Sequence, residues 1–124
     1  MQQAIILFAH GARDPAWARP FEAMANHLRH TSPHRIELAF LELMQPGLEE
    51  AVKTQVEAGC DHITVVPVFL GAGGHVRRDL PALIDTLRSR YPALTLRATC
   101  AVGESPEVMA ALADAALRLA TKLP

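Results

Sequence analysis

The chain is poor in cysteine, carries no excess of charge of either sign, and has no apolar run long enough to span a bilayer. Its two cysteines, Cys60 and Cys100, show no Cys-x-x-Cys spacing. A zinc ribbon and a disulfide framework are therefore unsupported, and a reducing, cytoplasmic compartment is expected. A net charge of −1 gives no basic field, which argues against a nucleic-acid partner. Met1-Gln2-Gln3 carries no Lys or Arg ahead of a short apolar stretch that runs straight into His10-Gly11, so neither a signal peptide nor a membrane partner is expected. The glycine-rich stretch Gly71-Ala72-Gly73-Gly74 lacks both the GxGxxG spacing and a following Lys-Ser/Thr, which argues against a nucleotide cradle.

What is present is an ordinary globular composition, half hydrophobic and one-fifth charged, in 124 residues. That length suits one domain, residues 1–124, with little surplus for a deep enclosed pocket, which favours a dimer. Apolar runs predict strands at about 3–9, 35–42, 62–69 and 94–99. Between them, helical spacing predicts helices at about 15–30, 46–58, 76–90 and 106–122. Asp14 and Ser105 are expected caps, Pro15, Pro46 and Pro106 suit first turns, and Gly59 should stop the second helix. The expected inward faces are Trp17, Phe21, Met24 and Leu28; Leu48, Ala51, Val52 and Val56; Leu80, Leu83, Ile84 and Leu87; and Val108, Leu112, Ala115 and Leu119.

Four βα units in a row imply an α/β, three-layer αβα fold with a four-stranded, mostly parallel sheet in the order 2-1-3-4. Ligands bind such sheets beyond the carboxyl ends of the strands, at the switch point between the first and third strands. His10 follows the first strand and His75 the third, while the second is expected to end at Glu42 on the same edge. Pro67 gives no ladder donor, so a bend or interruption is expected there, just before the loop that carries His75.

Imidazole ligates divalent iron, cobalt, nickel and zinc, and two histidines with one carboxylate form an open ligand set. His10, His75 and Glu42 are the candidates. Either histidine alone would be read as a hydrogen-bonding residue at a strand end, and Glu42 alone as a solvated carboxylate; the pair on one edge points to a site. Gly73 and Gly74 are read as permitting positive φ or close approach beside it. Arg13, Arg77 and Arg78 suit an acidic ligand, although for Arg78 alone helix-start surface charge is the favoured reading. His27, His30 and His34 read as a solvated helix end, and Cys100 as a buried, unreactive thiol.

The segments His10-Gly11-Ala12-Arg13-Asp14-Pro15, Phe40-Leu41-Glu42, Val66-Pro67-Val68-Phe69-Leu70, Gly74-His75-Val76 and Asp79-Leu80-Pro81 resemble the small sirohydrochlorin chelatases of the CbiX type, class II tetrapyrrole chelatases. The resemblance implies a chelatase-like half-domain working as a homodimer. It implies a lyase that inserts divalent cobalt or iron (nickel in related small members) into sirohydrochlorin without ATP, in cobalamin or siroheme biosynthesis. No cofactor beyond the metal substrate is implied. His10 and His75 would be the active-site histidines, with Glu42 aiding ligation or proton relay and Arg13 and Arg77 meeting peripheral carboxylates. Ala12 departs from the family's usual His-Gly-Ser-Arg, which bears on substrate preference. Neutral histidines are required, so activity is expected to fall below about pH 6.5, the value for unperturbed imidazole. The alternative is a metal- or tetrapyrrole-binding carrier with no catalysis; a flavodoxin-like regulatory module is disfavoured because no acidic cluster follows the first strand.

Overall fold

A computed structural model describes residues 3–71 and 73–122, without the side chain of His75. Strands β1 (Gln3–Ala9), β2 (Arg35–Phe40), β3 (His62–Pro67) and β4 (Thr95–Ala98) form one parallel sheet in the order β2-β1-β3-β4. The register places Ile6 beside Glu37 and Val65, and Val65 beside Ala98. Helices α1 (Arg19–Thr31), α2 (Leu48–Glu57), α3 (Gly74–Arg90) and α4 (Pro106–Thr121) alternate with the strands.

Because successive strand residues face opposite ways, the sheet has two apolar sides. Ala4, Ile6, Phe8, Ile63, Val65 and Leu96 form the larger core with Ala51 and Val52 of α2 and Ile84 and Leu87 of α3. Leu7 and Ile36 point to the other side, against Ala25 and Leu28 of α1. Right-handed connections produce this division, since the chain moves one way from β1 to β2 and the other way thereafter. Gly59, at φ 95°, ends α2 as expected.

Several boundaries differ from expectation. The first turn of the first helical segment is a 3-10 turn, Pro15–Ala18, which Asp14 caps by accepting the Ala16 N–H at 2.9 Å. β2 stops at Phe40 and β3 at Pro67, each two residues short, because the chain bends toward the site. Pro67 still pairs with Phe8 and Val68 donates to the Phe8 carbonyl, so the proline ends the strand without breaking the ladder. α3 starts at Gly74, so the backbone of His75 lies in its first turn and not in the preceding loop. It also continues through Pro81, which has no N–H to give to the Arg77 carbonyl. Met24 is 39% exposed, not inward. Ser105 precedes α4 but makes no side-chain cap.

The largest departure is α4. None of its residues is buried, and Val108, Leu112, Ala115 and Leu119 do not pack into the core. Its main contact is the 3-10 turn Val102–Glu104 just before it. Cys100 is exposed, contrary to expectation, whereas Cys60 is buried and burial pushes its thiol pKa up. Stability therefore rests on α1, α2, α3 and the sheet. Leu87→Ala, which empties a fully buried position, is expected to cost about 2–5 kcal/mol in urea unfolding.

Candidate active site

The site is built by extending the β1–β2 ladder past both strands. Leu41 N–H donates to the Ala9 carbonyl at 2.8 Å, and Glu42 N–H donates to the His10 carbonyl at 3.1 Å. Gly11 then turns away at φ 99°. A Cβ at Gly11 would lie 1.9 Å from the Glu42 carbonyl oxygen, so the approach of the two chains excludes any larger residue.

The loop that carries Glu42 is held from both ends. Met44 N–H donates to the Glu42 carbonyl at 2.8 Å, closing a γ-turn about Leu43, which takes φ 65°. This turn is rare and strained for a residue with a side chain. Phe40 N–H donates to the Pro46 carbonyl at 2.9 Å and closes the loop at its base, across a cis Gln45–Pro46 bond.

These constraints bring His10 Nε2 to 3.2 Å from Glu42 Oε1. Side-chain exposures of 53% and 55% leave the pair open to a ligand, and solvent screening leaves it little value as a stabilising contact. The Phe69 ring, from the segment after β3, meets the His10 imidazole edge-on at 5.9 Å. Phe69 also packs against Phe8 at 6.0 Å and thereby ties the imidazole to the core. Gly103 N–H donates to the Phe69 carbonyl at 2.8 Å, and a Cβ on Gly103 would sit 1.9 Å from the Leu70 carbonyl oxygen.

The sequence candidates divide accordingly. His10 and Glu42 meet. The His75 side chain lies outside the described residues, as does Ala72. Among the described residues no group of three His, Cys, Asp or Glu side chains is placed to hold a metal. Arg13 lines a cavity of about 520 Å³ with Arg19, Glu22, Leu43 and Met44. Arg77 lines a different cavity, and its Nη2 lies 3.5 Å from Glu104 Oε1. Gly73 and Gly74 have neither positive φ nor a close neighbour, so conformational need does not explain them; open space lies beside both. His30 Nδ1 is 2.7 Å from the Asn26 carbonyl oxygen, in keeping with a solvated helix end.

Sequence reasoning missed Leu43 and Leu70, 60% and 69% exposed at the ends of β2 and β3. Leu43 follows Glu42 and Leu70 follows Phe69 in the chain, so both segments that reach His10 carry a large exposed aliphatic. The signal available for Leu70 was its place between the third apolar run and the glycines; nothing in the sequence marks Leu43 as a strained turn.

A family model named CbiX matches residues 4–119. The chain is 39% identical over 82 residues to a sirohydrochlorin cobaltochelatase of Methanopyrus kandleri, covering 65% of this chain and 57% of that one. It is 33% identical over 113 residues to a sirohydrochlorin ferrochelatase of Bacillus subtilis, covering 90% of this chain and 43% of that one. The matches thus span about half the length of these curated relatives. Among solved structures, a putative cobalamin biosynthesis CbiX protein of Marinobacter aquaeolei superposes with a TM-score of 0.86 at 32% identity, over 98% of this chain and 99% of that one. The cobalt complex of the sirohydrochlorin chelatase SirB of Bacillus subtilis subspecies spizizenii gives 0.80 at 30% identity, over 92% of this chain and 49% of that one.

Gly11→Ala is expected to destabilise the fold by more than about 1 kcal/mol, because it combines a positive φ with a backbone clash. Gly71→Ala, whose Cβ would meet nothing within 4 Å, is the control. Paired urea titrations check both.

Proposed function

Since this chain belongs to the CbiX family, we propose that it is a metal chelatase that inserts divalent cobalt or iron into sirohydrochlorin, or a closely related tetrapyrrole, without ATP. The observation that carries the reading is the 3.2 Å separation of His10 Nε2 and Glu42 Oε1 at the carboxyl edge of the sheet. Two donors each about 2.1 Å from one ion, at an angle of about 100°, stand about 3.2 Å apart. The pair is therefore already spaced as neighbouring ligands of a single cation.

Insertion exchanges one dication for two pyrrole N–H protons. His10 and Glu42 bind the incoming metal, which is a substrate and leaves with the ring. His75, in the first turn of α3, is the third member of the set. As the ring nitrogens take the metal, the vacated imidazoles and carboxylate accept the two protons and pass them to water. An open set of two histidines and one carboxylate suits delivery better than storage, because coordination positions remain for the ring. Leu43, Leu70 and Phe69 offer apolar contact to a flat macrocycle. Arg13 and Arg19 line one cavity together with Glu22, and in this reading Arg13 pairs with peripheral carboxylates. Arg77 is opposed by Glu104 and contributes less net charge to an anion.

A single domain of this size covers one face of a tetrapyrrole, so the working form in this reading is a homodimer. The free thiols suit a cytoplasmic enzyme, and no helix among the described residues is long and apolar enough to cross a membrane. Anaerobic incubation with sirohydrochlorin and divalent cobalt, iron or nickel, followed by absorbance, tests the reaction. The expected result is metallation well above the spontaneous rate with at least one metal, lost in the His10→Ala, His75→Ala double variant. Binding without acceleration would mark a carrier instead.

A further inference from the structure

Leu43 occupies a backbone conformation that suits glycine. Its φ of 65° belongs to the turn that the Met44 N–H closes on the Glu42 carbonyl at 2.8 Å. Among the described residues it is the only non-glycine residue with positive φ. A side chain in such a turn carries strain that glycine would avoid. Packing does not offset that strain. Leu43 is 60% exposed and belongs to none of the buried apolar clusters, although Leu41 and Met44 nearby each pack against one.

The turn and the leucine have separate explanations. The turn presents Glu42, and it is held by backbone hydrogen bonds: Glu42 N–H to the His10 carbonyl, Met44 N–H to the Glu42 carbonyl, and Phe40 N–H to the Pro46 carbonyl. Glycine at position 43 would keep all of these bonds, so the placing of Glu42 accounts for the turn and not for its side chain. What the leucine adds is aliphatic surface in the wall of the cavity of about 520 Å³ that Ala12, Arg13, Arg19, Glu22 and Met44 also line. Leu43 directly follows Glu42, and Ala12 stands two residues after His10, so this cavity begins beside both candidate ligands.

We propose that Leu43 is a ring-contact residue held in a strained turn: its side chain lies against the face of the tetrapyrrole, and the chain keeps it at a cost in stability. This rests on the chelatase reading above and adds which side chain carries ring affinity. The occupant is a flat apolar body with anionic substituents, because the cavity joins the aliphatic Leu43 and Met44 to the guanidinium groups of Arg13 and Arg19, against the single carboxylate of Glu22. A ring that covers an exposed leucine removes apolar surface from water, so truncation to alanine is expected to weaken ring binding about tenfold.

The test compares the full-length wild type with Leu43→Ala, Leu43→Gly and Leu43→Met. Binding of metal-free sirohydrochlorin, followed by absorbance, is expected to weaken about tenfold in the alanine and glycine variants. The methionine variant, which keeps a long apolar side chain, should stay close to the wild type. Binding of divalent cobalt should be unchanged in all three. In urea, the glycine variant should outlast the alanine variant, since glycine alone relieves the positive φ. A more stable protein with a weaker ring site is a result that a merely structural leucine would not give. Ring binding that is unchanged in the alanine and glycine variants overturns the proposal. So does a loss matched by an equal loss of cobalt binding, which assigns the residue to holding Glu42, or a loss that follows a change in sedimentation, which places it between copies. A glycine variant no more stable than the alanine variant overturns the strained turn. Wild-type protein that neither binds nor metallates sirohydrochlorin removes the proposed function as well, whereas wild type and Leu43→Ala that bind the ring and metallate it equally remove this proposal alone.

Discussion

The approach of Gly11 to the Glu42 carbonyl is the contact on which the site depends. Two hydrogen bonds carry the β1–β2 ladder beyond its regular end, and they form only because no side chain stands at position 11. Each such bond contributes about 1 kcal/mol net, a modest amount, but together they fix two backbones in register. The side chains of His10 and Glu42 follow from that register. The strained turn at Leu43 is held by the same ladder and by the closure at Phe40. A pair half open to water would otherwise have no reason to stay together.

Phe69 and Gly103 repeat the device on the other side. Gly103 lets a 3-10 turn sit directly on the end of β3, which fixes the segment that presses Phe69 against His10. The edge is thus assembled from β1, β2 and β3, each locked by backbone contact and not by side-chain packing alone. Under the proposed function this rigidity suits transient metal binding, because His10 and Glu42 would not need to reorganise when the ion leaves.

Much of this was legible in the sequence. The apolar runs disclosed four strands, their parallel order and the inward faces of α1 to α3, apart from Met24, because those residues pack locally against one sheet. His10 and Glu42 were found because strand ends in such sheets share an edge. The rest depends on contacts between distant segments. Nothing near Leu43 signals a turn with positive φ, since the residue is an ordinary aliphatic. Gly11 was visible beside His10, but its necessity comes from a carbonyl 31 residues away. The spacing in α4 read as a helix facing the core, but none of its residues is buried: periodicity marks an apolar face and does not say what that face meets. Cys100 was misread for the same reason, because it lines a groove that this chain leaves open.

The central claim is that His10 and Glu42 act as one ligand unit. A double-mutant cycle on equilibrium binding of divalent cobalt, with the wild type, His10→Ala, Glu42→Ala and the double variant at one pH, measures this directly. If the two side chains share the ion, the single losses will not add, and the interaction energy will fall within about 0.5–3 kcal/mol. Additive losses, or a Glu42→Ala variant that binds cobalt as the wild type does, would contradict the account.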